Sequence, residues 1–327
     1  MYKIAIDAMG GDNAPNEIIK GALDARREAE GVEVVLLGQK DIIQAQLDKL
    51  GETAEIIDAP DVIHTGDKPL VAIRQKRNSS LIKGLLMVKD GTADAFVSAG
   101  STGAVFAGAL FNVGRIKGVD RPALAAILPT QKGKTILLDI GANADCKDKY
   151  LIQFAKMGRT YMKLVEGIEN PTVGLINIGT EEEKGNELYR EVNKLMREDE
   201  SLNFVGNVEP REALNSAADV LVCDGFTGNI LLKTLEGMAV YLFKNIKAEL
   251  MKNIITKLAA AILKKGFNNV RGKIDHKEYG GTPLLGVQGC VIKAHGSSDA
   301  YSFKRAIIQA VNYLEKDITN VIKDTVE

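Results

Sequence analysis

Four glycine-rich turns of this chain carry acidic, hydroxyl and amide side chains that suit ligand binding. They occupy residues 7–12, 98–104, 139–143 and 224–229, and each follows a short apolar run. Glycine lets backbone N–H groups approach a ligand closely, and a helix that begins directly afterwards adds its own free N–H groups. Such turns form an anion-friendly cleft where they meet at the carboxyl edge of one sheet. We therefore expect an anion-binding cleft built from these turns.

The turn at residues 98–104 is the strongest candidate for a phosphate site. Gly100 and Gly103 flank the hydroxyl groups of Ser101 and Thr102 at the start of a predicted helix. Backbone N–H groups and hydroxyl groups together suit phosphate oxygens. The turn lacks the lysine of a P-loop, so a nucleoside triphosphate is not expected here.

The first turn, at residues 7–12, lacks the G-x-G-x-x-G spacing of a dinucleotide site. No acidic residue stands at the ribose-binding position after the second predicted strand, where the chain has Gln39 and Lys40. Both features argue against a dinucleotide-dependent dehydrogenase. Two interpretations stay open: a ligand-binding turn, or a structural turn in which Asn13 caps a helix and Pro15 lies early in it.

Two cationic side chains are the candidates for catalysis. Lys184 lies in a glycine-flanked loop after a predicted strand, where it either holds an anion or polarises a carbonyl group, or is simply solvated. His295 precedes a predicted helix and is the best candidate of the three histidines for acid–base chemistry or phosphate binding. Ser298, in the same loop, has the alternative role of a helix cap.

The three cysteines, Cys146, Cys223 and Cys290, show no C-x-x-C spacing. This usage fits a reducing compartment and argues against a disulfide framework or structural zinc. Cys223 ends an apolar run, so we expect a small buried side chain there rather than a nucleophile. The predicted chemistry requires no metal and no cofactor.

Composition places the chain among ordinary globular proteins. Of its 327 residues, 45% are hydrophobic and 26% are charged, and the formal net charge is −1. The chain therefore lacks the basic footprint of a nucleic-acid-binding protein. It has no apolar run of the ~18 residues that a membrane-spanning helix needs. The first residues enter a predicted strand directly, so we expect no signal peptide.

Apolar runs of strand length alternate with helical patterns along the chain. Strands are predicted near 4–7, 32–38, 54–58, 93–98, 124–129, 135–139, 173–177, 204–206 and 218–223. Helices are predicted near 69–90, 102–115, 148–167, 187–197, 229–250 and 300–320. This alternation predicts a mostly parallel sheet with helices on both faces. No linker divides the chain, so we expect a single α/β domain over residues 1–327.

Residues 244–273 are strongly basic, although the whole chain is nearly neutral. They contain eight lysines and arginines but one acid, Glu249, and apolar residues at helical spacing form a stripe on the same segment. A basic amphipathic helix meets an anionic membrane, an acidic protein or, as the simplest alternative, another part of its own protein or dimer. The candidate contact residues are Lys252, Ile254, Lys257, Leu258, Lys264 and Lys265.

Taken together, these turns resemble those of the bacterial phosphate acyltransferase family, which makes acyl phosphate from acyl-acyl carrier protein. The matching blocks lie, in family order, at residues 7–12, 98–104, 177–186, 224–229, 278–281 and 295–298. Each block alone is a weak signal, whereas the ordered set spans nearly the whole chain. Ser101 departs from the family pattern, which usually has Asn at this position.

The resemblance implies a three-layer α/β/α sandwich with a mostly parallel sheet, similar to phosphotransacetylases and isocitrate-type dehydrogenases. It implies transfer of a fatty acyl group from acyl-acyl carrier protein to inorganic phosphate for phospholipid synthesis. It also implies a cytoplasmic homodimer that associates peripherally with the inner face of the cell membrane. A downstream glycerol-3-phosphate acyltransferase would use the acyl phosphate.

The turns and the resemblance together give two sets of candidate site residues. Lys184 and His295 are the catalytic candidates. The candidates for binding phosphate or substrate are Asp7, Gly10, Gly11, Asp12, Ser98, Gly100, Ser101, Thr102, Gly103, Asp139, Asn143, Asn177, Asp224, Thr227, Gly228, Asn229 and Ser297. Two other functions stay open: a phosphotransacetylase-like enzyme that uses a small acyl-coenzyme A, and a non-catalytic membrane scaffold.

Overall fold

A computed structural model describes residues 1–274 and 280–326 of the protein. The strands of this part are β1 (Tyr2–Asp7), β2 (Val32–Gly38), β3 (Glu55–Asp58), β4 (Ala95–Ser98), β5 (Ala123–Thr130), β6 (Gly133–Leu138), β7 (Thr172–Ile176), β8 (Asn203–Val208), β9 (Val220–Val222), β10 (Thr282–Leu285) and β11 (Cys290–Lys293). They form one sheet in the order β3-β2-β1-β4-β11-β10-β5-β6-β9-β7-β8. Glu278 and Tyr279, two residues of the family resemblance, lie outside the described part.

Helices cover both faces of this sheet. They are α1 (Asn16–Glu28), α2 (Lys40–Leu50), α3 (Pro69–Gln75), α4 (Ser80–Lys89), α5 (Thr102–Gly108), α6 (Asp148–Val165), α7 (Glu187–Glu198), α8 (Gly225–Leu250), α9 (Ile254–Ile274), α10 (Ala300–Glu315) and α11 (Ile318–Val326). One hydrophobic core joins the sheet to α1, α2, α6, α7, α10 and α11. A second core lies on the opposite face, with α3, α4, α5 and α8. The predicted α/β/α sandwich is thus confirmed.

The sheet is mostly parallel, but its two halves run in opposite directions. Strands β1 to β4 and β11 are parallel to one another, and so are β6 to β9. Between the halves, β10 pairs antiparallel with β11 and β5, and β5 pairs antiparallel with β6. Turns at the carboxyl ends of the two halves therefore do not share one edge, which corrects the expectation that all the glycine turns meet there.

Several element boundaries differ from the predicted ones. The helix predicted near 300–320 is two helices, because the chain turns at Asp317 with φ of 49°. Asp299, and not Ser298, caps α10 by accepting the amide hydrogen of Ser302 at 2.9 Å. Pro15 occupies the N-cap position of α1, so Asn13 is not the cap. β10 and β11 were not predicted from the sequence.

Candidate active site

A cleft of about 1360 Å³ lies on the sheet face that carries α3, α4, α5 and α8. Leu124, Ala126 and Leu128 of β5 line it, and α8 and α9 form a wall. What we call the polar end of the cleft consists of Thr102, Gly103, Asn229, Lys233, Lys293 and His295. What we call its apolar arm consists of Leu214, Leu232, Leu235, Ala239, Val240, Phe243, Ile246, Leu250, Met251, Ala260, Ala261 and Phe267.

Three side chains form a row across neighbouring strands beside the polar end. Ser98 of β4 is in register with Asp7 of β1 on one side and with Lys293 of β11 on the other. The Asp7 carboxylate accepts hydrogen bonds from Ser98 Oγ at 2.6 Å and from Ser80 Oγ at 2.5 Å. Burial raises the pKa of Asp7, although both serines act in the opposite direction. Asp7 is thereby held inside the protein and orients the turn that follows it.

The turns that follow β1 and β11 are joined directly. The amide of Asp12 donates to the carbonyl oxygen of Gly296 at 2.8 Å. The side-chain amide of Asn13 donates to the carbonyl oxygens of Ser297 and Ser298, at 3.1 Å each. Asn13 therefore ties the two turns together instead of capping a helix. Gly10 and Gly11 pack at this junction, where a Cβ on Gly10 would lie 2.4 Å from Asp7 Oδ2.

His295 is oriented by its own loop. Its Nδ1 accepts the amide hydrogen of Ser297 at 3.2 Å and lies 2.8 Å from Ser297 Oγ. A neutral imidazole whose Nδ1 is an acceptor carries its proton on Nε2. Nε2 lies 3.5 Å from Nζ of Lys233 on α8. A proton-bearing imidazole nitrogen and an ammonium group thus face each other at the polar end.

Asp139, a candidate ligand-binding residue, is fully buried. Its carboxylate accepts hydrogens from the backbone amides of Leu124, Gly141, Ala142 and Asn143 at 2.6–3.3 Å. The side-chain amide of Asn143 adds a further hydrogen bond at 3.0 Å. Burial raises the pKa of Asp139 against these bonds. Asp139 and Asn143 shape the turn after β6, which brings Gly141 to the cleft.

The start of α8 is fixed by a polar cluster in the second half of the sheet. Asp224 caps α8 by accepting the amide hydrogen of Thr227 at 2.8 Å. The Tyr189 hydroxyl donates to Asp224 Oδ2 at 2.5 Å, and burial raises the pKa of this tyrosine. Gly228 lets α8 approach β6, since a Cβ there would lie 1.9 Å from the carbonyl oxygen of Asp139. The next residue, Asn229, reaches the cleft.

Lys184 and His295 are not brought together in the cleft. His295 lines it, whereas Lys184 does not. Asn177 holds the Lys184 loop by donating its side-chain amide to the Lys184 carbonyl oxygen at 3.1 Å. The two catalytic candidates therefore occupy different parts of the protein.

The candidate phosphate turn reaches the polar end through its last residues. Thr102 and Gly103 line the cleft, and Ser101 precedes them at the N-cap position of α5. Gly100 lies deeper, where its amide donates to Ser98 Oγ at 3.0 Å. A Cβ on Gly103 would lie 2.7 Å from Pro69, so this glycine also permits α5 to pack against α3.

Cys223 is fully buried beneath the turn that precedes α8. Burial raises the pKa of its thiol well above the usual range, with the charges of Asp224 and Asp139 acting in the same direction. The sulfur stays protonated at neutral pH, which agrees with a small buried side chain and not with a nucleophile.

The two faces of α9 differ in what they contact. Lys257 and Lys264 line the cleft, together with Ala260 and Ala261 between them. Ile254 and Leu258 lie on the outer side and are 77% and 63% exposed. Of the remaining candidate contact residues on this segment, Lys252 pairs with Glu249 at 3.0 Å, and Lys265 does not line the cleft. The apolar stripe therefore faces solvent in the isolated chain.

Comparison with known proteins fixes the family of the chain. A sequence model for a family described as "Fatty acid synthesis protein" matches residues 2–321. A phosphate acyltransferase of Clostridium tetani is 48% identical over 98% of this chain and 97% of its own length. One of Clostridium acetobutylicum is 50% identical over 99% and 98%. The chain belongs to the phosphate acyltransferase family. It is an acyltransferase of a family tied to fatty acid synthesis, which agrees with the resemblance.

Solved structures similar to this phosphate acyltransferase family member agree with its fold. A phosphotransacetylase from Streptococcus pyogenes has a TM-score of 0.62 at 19% identity, with 96% of this chain and 94% of that chain covered. A 4-hydroxythreonine-4-phosphate dehydrogenase from Klebsiella pneumoniae has a TM-score of 0.54 at 14% identity, with 95% and 97% covered. At these identities the similarity concerns the fold alone.

Two further observations concern the described residues of this acyltransferase. Residues 1–274 and 280–326 contain no group of three or more His, Cys, Asp or Glu side chains placed to hold a metal ion. No helix in the same part is long and apolar enough to cross a membrane.

Sequence reasoning missed two cations of the polar end, Lys233 and Lys293. Lys233 lies in the third turn of a long helix and carries no motif of its own. Lys293 follows two apolar residues at the end of an unpredicted strand, where a lysine usually is solvated. The available signal was its position two residues before His295, in a block that supports the family resemblance.

Proposed function

We propose that this protein transfers a fatty acyl group from acyl-acyl carrier protein to inorganic phosphate. In this reaction the bond between the carbonyl carbon and the thioester sulfur breaks, and a bond from that carbon to a phosphate oxygen forms. The proton of hydrogen phosphate ends on the thiol of the carrier. The acyl phosphate then supplies phospholipid synthesis through an acyl-phosphate-dependent glycerol-3-phosphate acyltransferase.

The shape of the cleft is the observation that carries this proposal. The polar end offers cationic and hydroxyl groups to phosphate. The apolar arm continues along α8 from that end, and the charged residues Glu236, Lys244 and Lys247 line the same stretch of the helix. The volume of about 1360 Å³ exceeds the ~300–1000 Å³ typical of small-molecule pockets. An acetyl group would leave the arm empty, whereas a fatty acyl chain would bury its methylene groups there.

The residues of the polar end suit acyl transfer to an anion. Hydrogen phosphate is anionic near neutral pH, so the site needs to bind it beside the thioester instead of generating a nucleophile. We assign phosphate binding to Thr102 and Lys233, and we assign His295 to the developing charge on the carbonyl oxygen or the departing sulfur. We assign Asn229, which also lines the cleft, to the orientation of the thioester.

A comparison of acyl donors tests the proposal. We expect phosphate-dependent release of thiol from long-chain acyl-acyl carrier protein, and little release from acetyl-coenzyme A under the same conditions. Preference for acetyl-coenzyme A would instead establish the phosphotransacetylase-like alternative. Failure to cleave either thioester in the presence of phosphate would leave only a non-catalytic role.

The α8–α9 region supports proposals about partners. The outer stripe of α9 is apolar and exposed, while Lys257 and Lys264 lie at the cleft. We assign the stripe to peripheral contact with the inner face of the cell membrane and the two lysines to the acidic carrier protein. We further propose a cytoplasmic homodimer. If the stripe is instead the contact between subunits, its polar substitution will dissociate the dimer.

A further inference from the structure

Lys293 is a buried cation on the cleft side of the sheet. It is 7% exposed and ends β11. Side chains alternate between the two faces of a strand, so Lys293 shares a face with Val291, and Val291 belongs to the core on the cleft side. Lys293 itself lines the cleft. Its ammonium group therefore belongs to the polar end and not to the opposite core.

The hydrogen bonds of this ammonium group are incomplete. Nζ donates to the carbonyl oxygen of Ala294, and an ammonium group has three hydrogens to donate. Among residues 1–274 and 280–326, Lys293 has no carboxylate within ion-pair distance. Ser98 separates it from Asp7 in the strand register, and both oxygens of Asp7 already accept serine hydrogens. The ammonium group at the cleft therefore has further hydrogens that it can donate to an anion.

One other cation faces the same space. Lys233 lies beside His295 and lines the polar end, and its ammonium group also pairs with Glu236 at 2.7 Å. Burial lowers the pKa of Lys293 to about 8, repulsion from Lys233 acts in the same direction, and Asp7 and Asp12 act against both. A buried ammonium group without a counter-ion costs folding free energy, and a second cation nearby adds to that cost. Such an arrangement is stabilised when a multiply charged anion binds between the cations.

We propose that Lys293 is a phosphate-binding residue whose buried ammonium group holds the inorganic phosphate dianion at the polar end of the cleft, opposite Lys233. This inference rests on the proposed function, because it assigns a residue to one substrate of that reaction. The same anion chemistry is present in a phosphodiester on the acyl donor, so the two sources need to be separated by experiment.

The experiment compares Lys293→Met and Lys293→Arg with Lys20→Met, which removes an exposed lysine of α1. Steady-state kinetics give separate KM values for phosphate and for the acyl donor. We expect Lys293→Met to raise the phosphate KM at least about tenfold, the factor for one charge-assisted hydrogen bond. The donor KM stays within about twofold, and Lys293→Arg recovers part of the phosphate affinity because it keeps the charge.

Thermal unfolding gives a readout that needs no acyl donor. In phosphate-free buffer, Lys293→Met should have a Tm at or above that of the wild type, because an unpaired buried charge is gone. Added inorganic phosphate should raise the Tm of the wild type and of Lys20→Met more than that of Lys293→Met. A structural lysine gives the opposite result, a lower Tm in phosphate-free buffer.

Three results would overturn the inference: an unchanged phosphate KM, a rise in the donor KM alone, which assigns Lys293 to the donor phosphodiester, or failure of Lys293→Met to fold. Failure of the proposed function looks different. In that case wild-type protein does not cleave long-chain acyl-acyl carrier protein, whether or not phosphate still raises its Tm through Lys293.

Discussion

At the level of single residues, His295 and Lys233 present two proton-bearing nitrogens to one space. We expect His295→Ala to lower kcat/KM by ~10²-fold, comparable to the loss of one oxyanion donor. His64→Ala is the matched control, since His64 is exposed and does not line the cleft. Wild-type kinetics of His295→Ala would remove the imidazole from the reaction.

Lys184 and Lys233 compete for the role of the catalytic cation. Lys233 lines the cleft beside His295, and Lys184 lies in a loop elsewhere. We expect Lys233→Ala to lower kcat/KM by ~10²-fold, because a charge at the polar end stabilises the transition state directly. Lys184→Ala should have the smaller effect of the two under the same assay. The reverse order would restore Lys184 as the catalytic lysine.

The pH dependence of stability should report on Lys293. Its pKa in the folded protein is about 8, below the ordinary 10.5, so the folded protein releases this proton before the unfolded chain does. Between about pH 8 and 10.5 the unfolded state binds more protons than the folded state. The free energy of unfolding of the wild type therefore rises with pH in this range. Lys293→Met lacks this gain. The difference in Tm between variant and wild type should therefore shrink across that window, and a constant difference would contradict the shifted pKa.

The sequence predicted the site unevenly, and the reason is physical. His295, Thr102, Gly103 and Asn229 were named from local turn chemistry, and all four line the cleft. Lys293 depends on strand register, which places it beside Ser98 although 195 residues separate them along the chain. Such long-range pairing leaves no local signature in the sequence.

At the level of elements, two glycines of α8 differ in the space available for a side chain. A Cβ on Gly228 would lie 1.9 Å from the carbonyl oxygen of Asp139, and one on Gly237 would have no atom within 4 Å. We expect Gly228→Ala to lower the free energy of unfolding by about 3 kcal/mol or more, because rigid backbone lies in the way. Gly237→Ala should raise it by about 0.5–1 kcal/mol through helix propensity. Denaturant titration of both variants measures the contrast.

The two faces of α9 give a second contrast within one helix. Replacing Ile254 and Leu258 with Ser should abolish binding to anionic vesicles and leave turnover of the carrier substrate intact, because this stripe points outward. Lys257→Glu with Lys264→Glu should raise KM for acyl-acyl carrier protein, more so at low salt. Lys265→Glu, on the same helix but outside the cleft lining, is the matched control. If the Ile254 and Leu258 substitutions dissociate the dimer, and neither vesicle binding nor the KM for acyl-acyl carrier protein changes, the stripe is the contact between subunits.

Element prediction succeeded where periodicity was strong. β2 has the predicted bounds, Val32–Gly38, because apart from Glu33 its residues form one apolar run that ends at a glycine. β10 and β11 have four residues each, and Pro283 lies in the first of them. Length alone does not explain this, since β3 and β4 also have four residues and were predicted. Pro283 removes a backbone N–H and argues against a strand, so only pairing with neighbouring strands identifies β10.

At the level of the whole molecule, cleft volume should set the acyl-chain preference. Ala239 lies in the apolar arm on α8, and Ala248 lies on the same helix outside the lining. We expect Ala239→Phe to shorten the arm and to shift kcat/KM toward shorter acyl chains, because the bulky ring occupies space for several methylenes. Ala248→Phe should keep the wild-type profile. A chain-length series of acyl donors measures both, and equal profiles would place the acyl chain elsewhere.

The reversal of strand direction was the main feature of the molecule that the sequence did not predict. The β5 and β6 runs are adjacent along the chain, and pairing Thr130 with Gly133 makes them an antiparallel hairpin. Each apolar run looks the same in either direction, so periodicity predicts strands without predicting their polarity. The reversal is what separates the turns of the two halves and leaves α8 to connect them across the cleft.

Helix α8 also connects the two ends of the cleft as one rigid element. Its first turn is clamped at Asp224, its third turn brings Lys233 beside His295, and its last turns carry the apolar arm toward α9. A helix of 26 residues is about 39 Å long and stiff. Because the helix is stiff, tilting its far end would also displace Lys233, which lies nearer the capped end. We therefore expect a partner bound to α9 and the last turns of α8 to change the distance between Lys233 and His295.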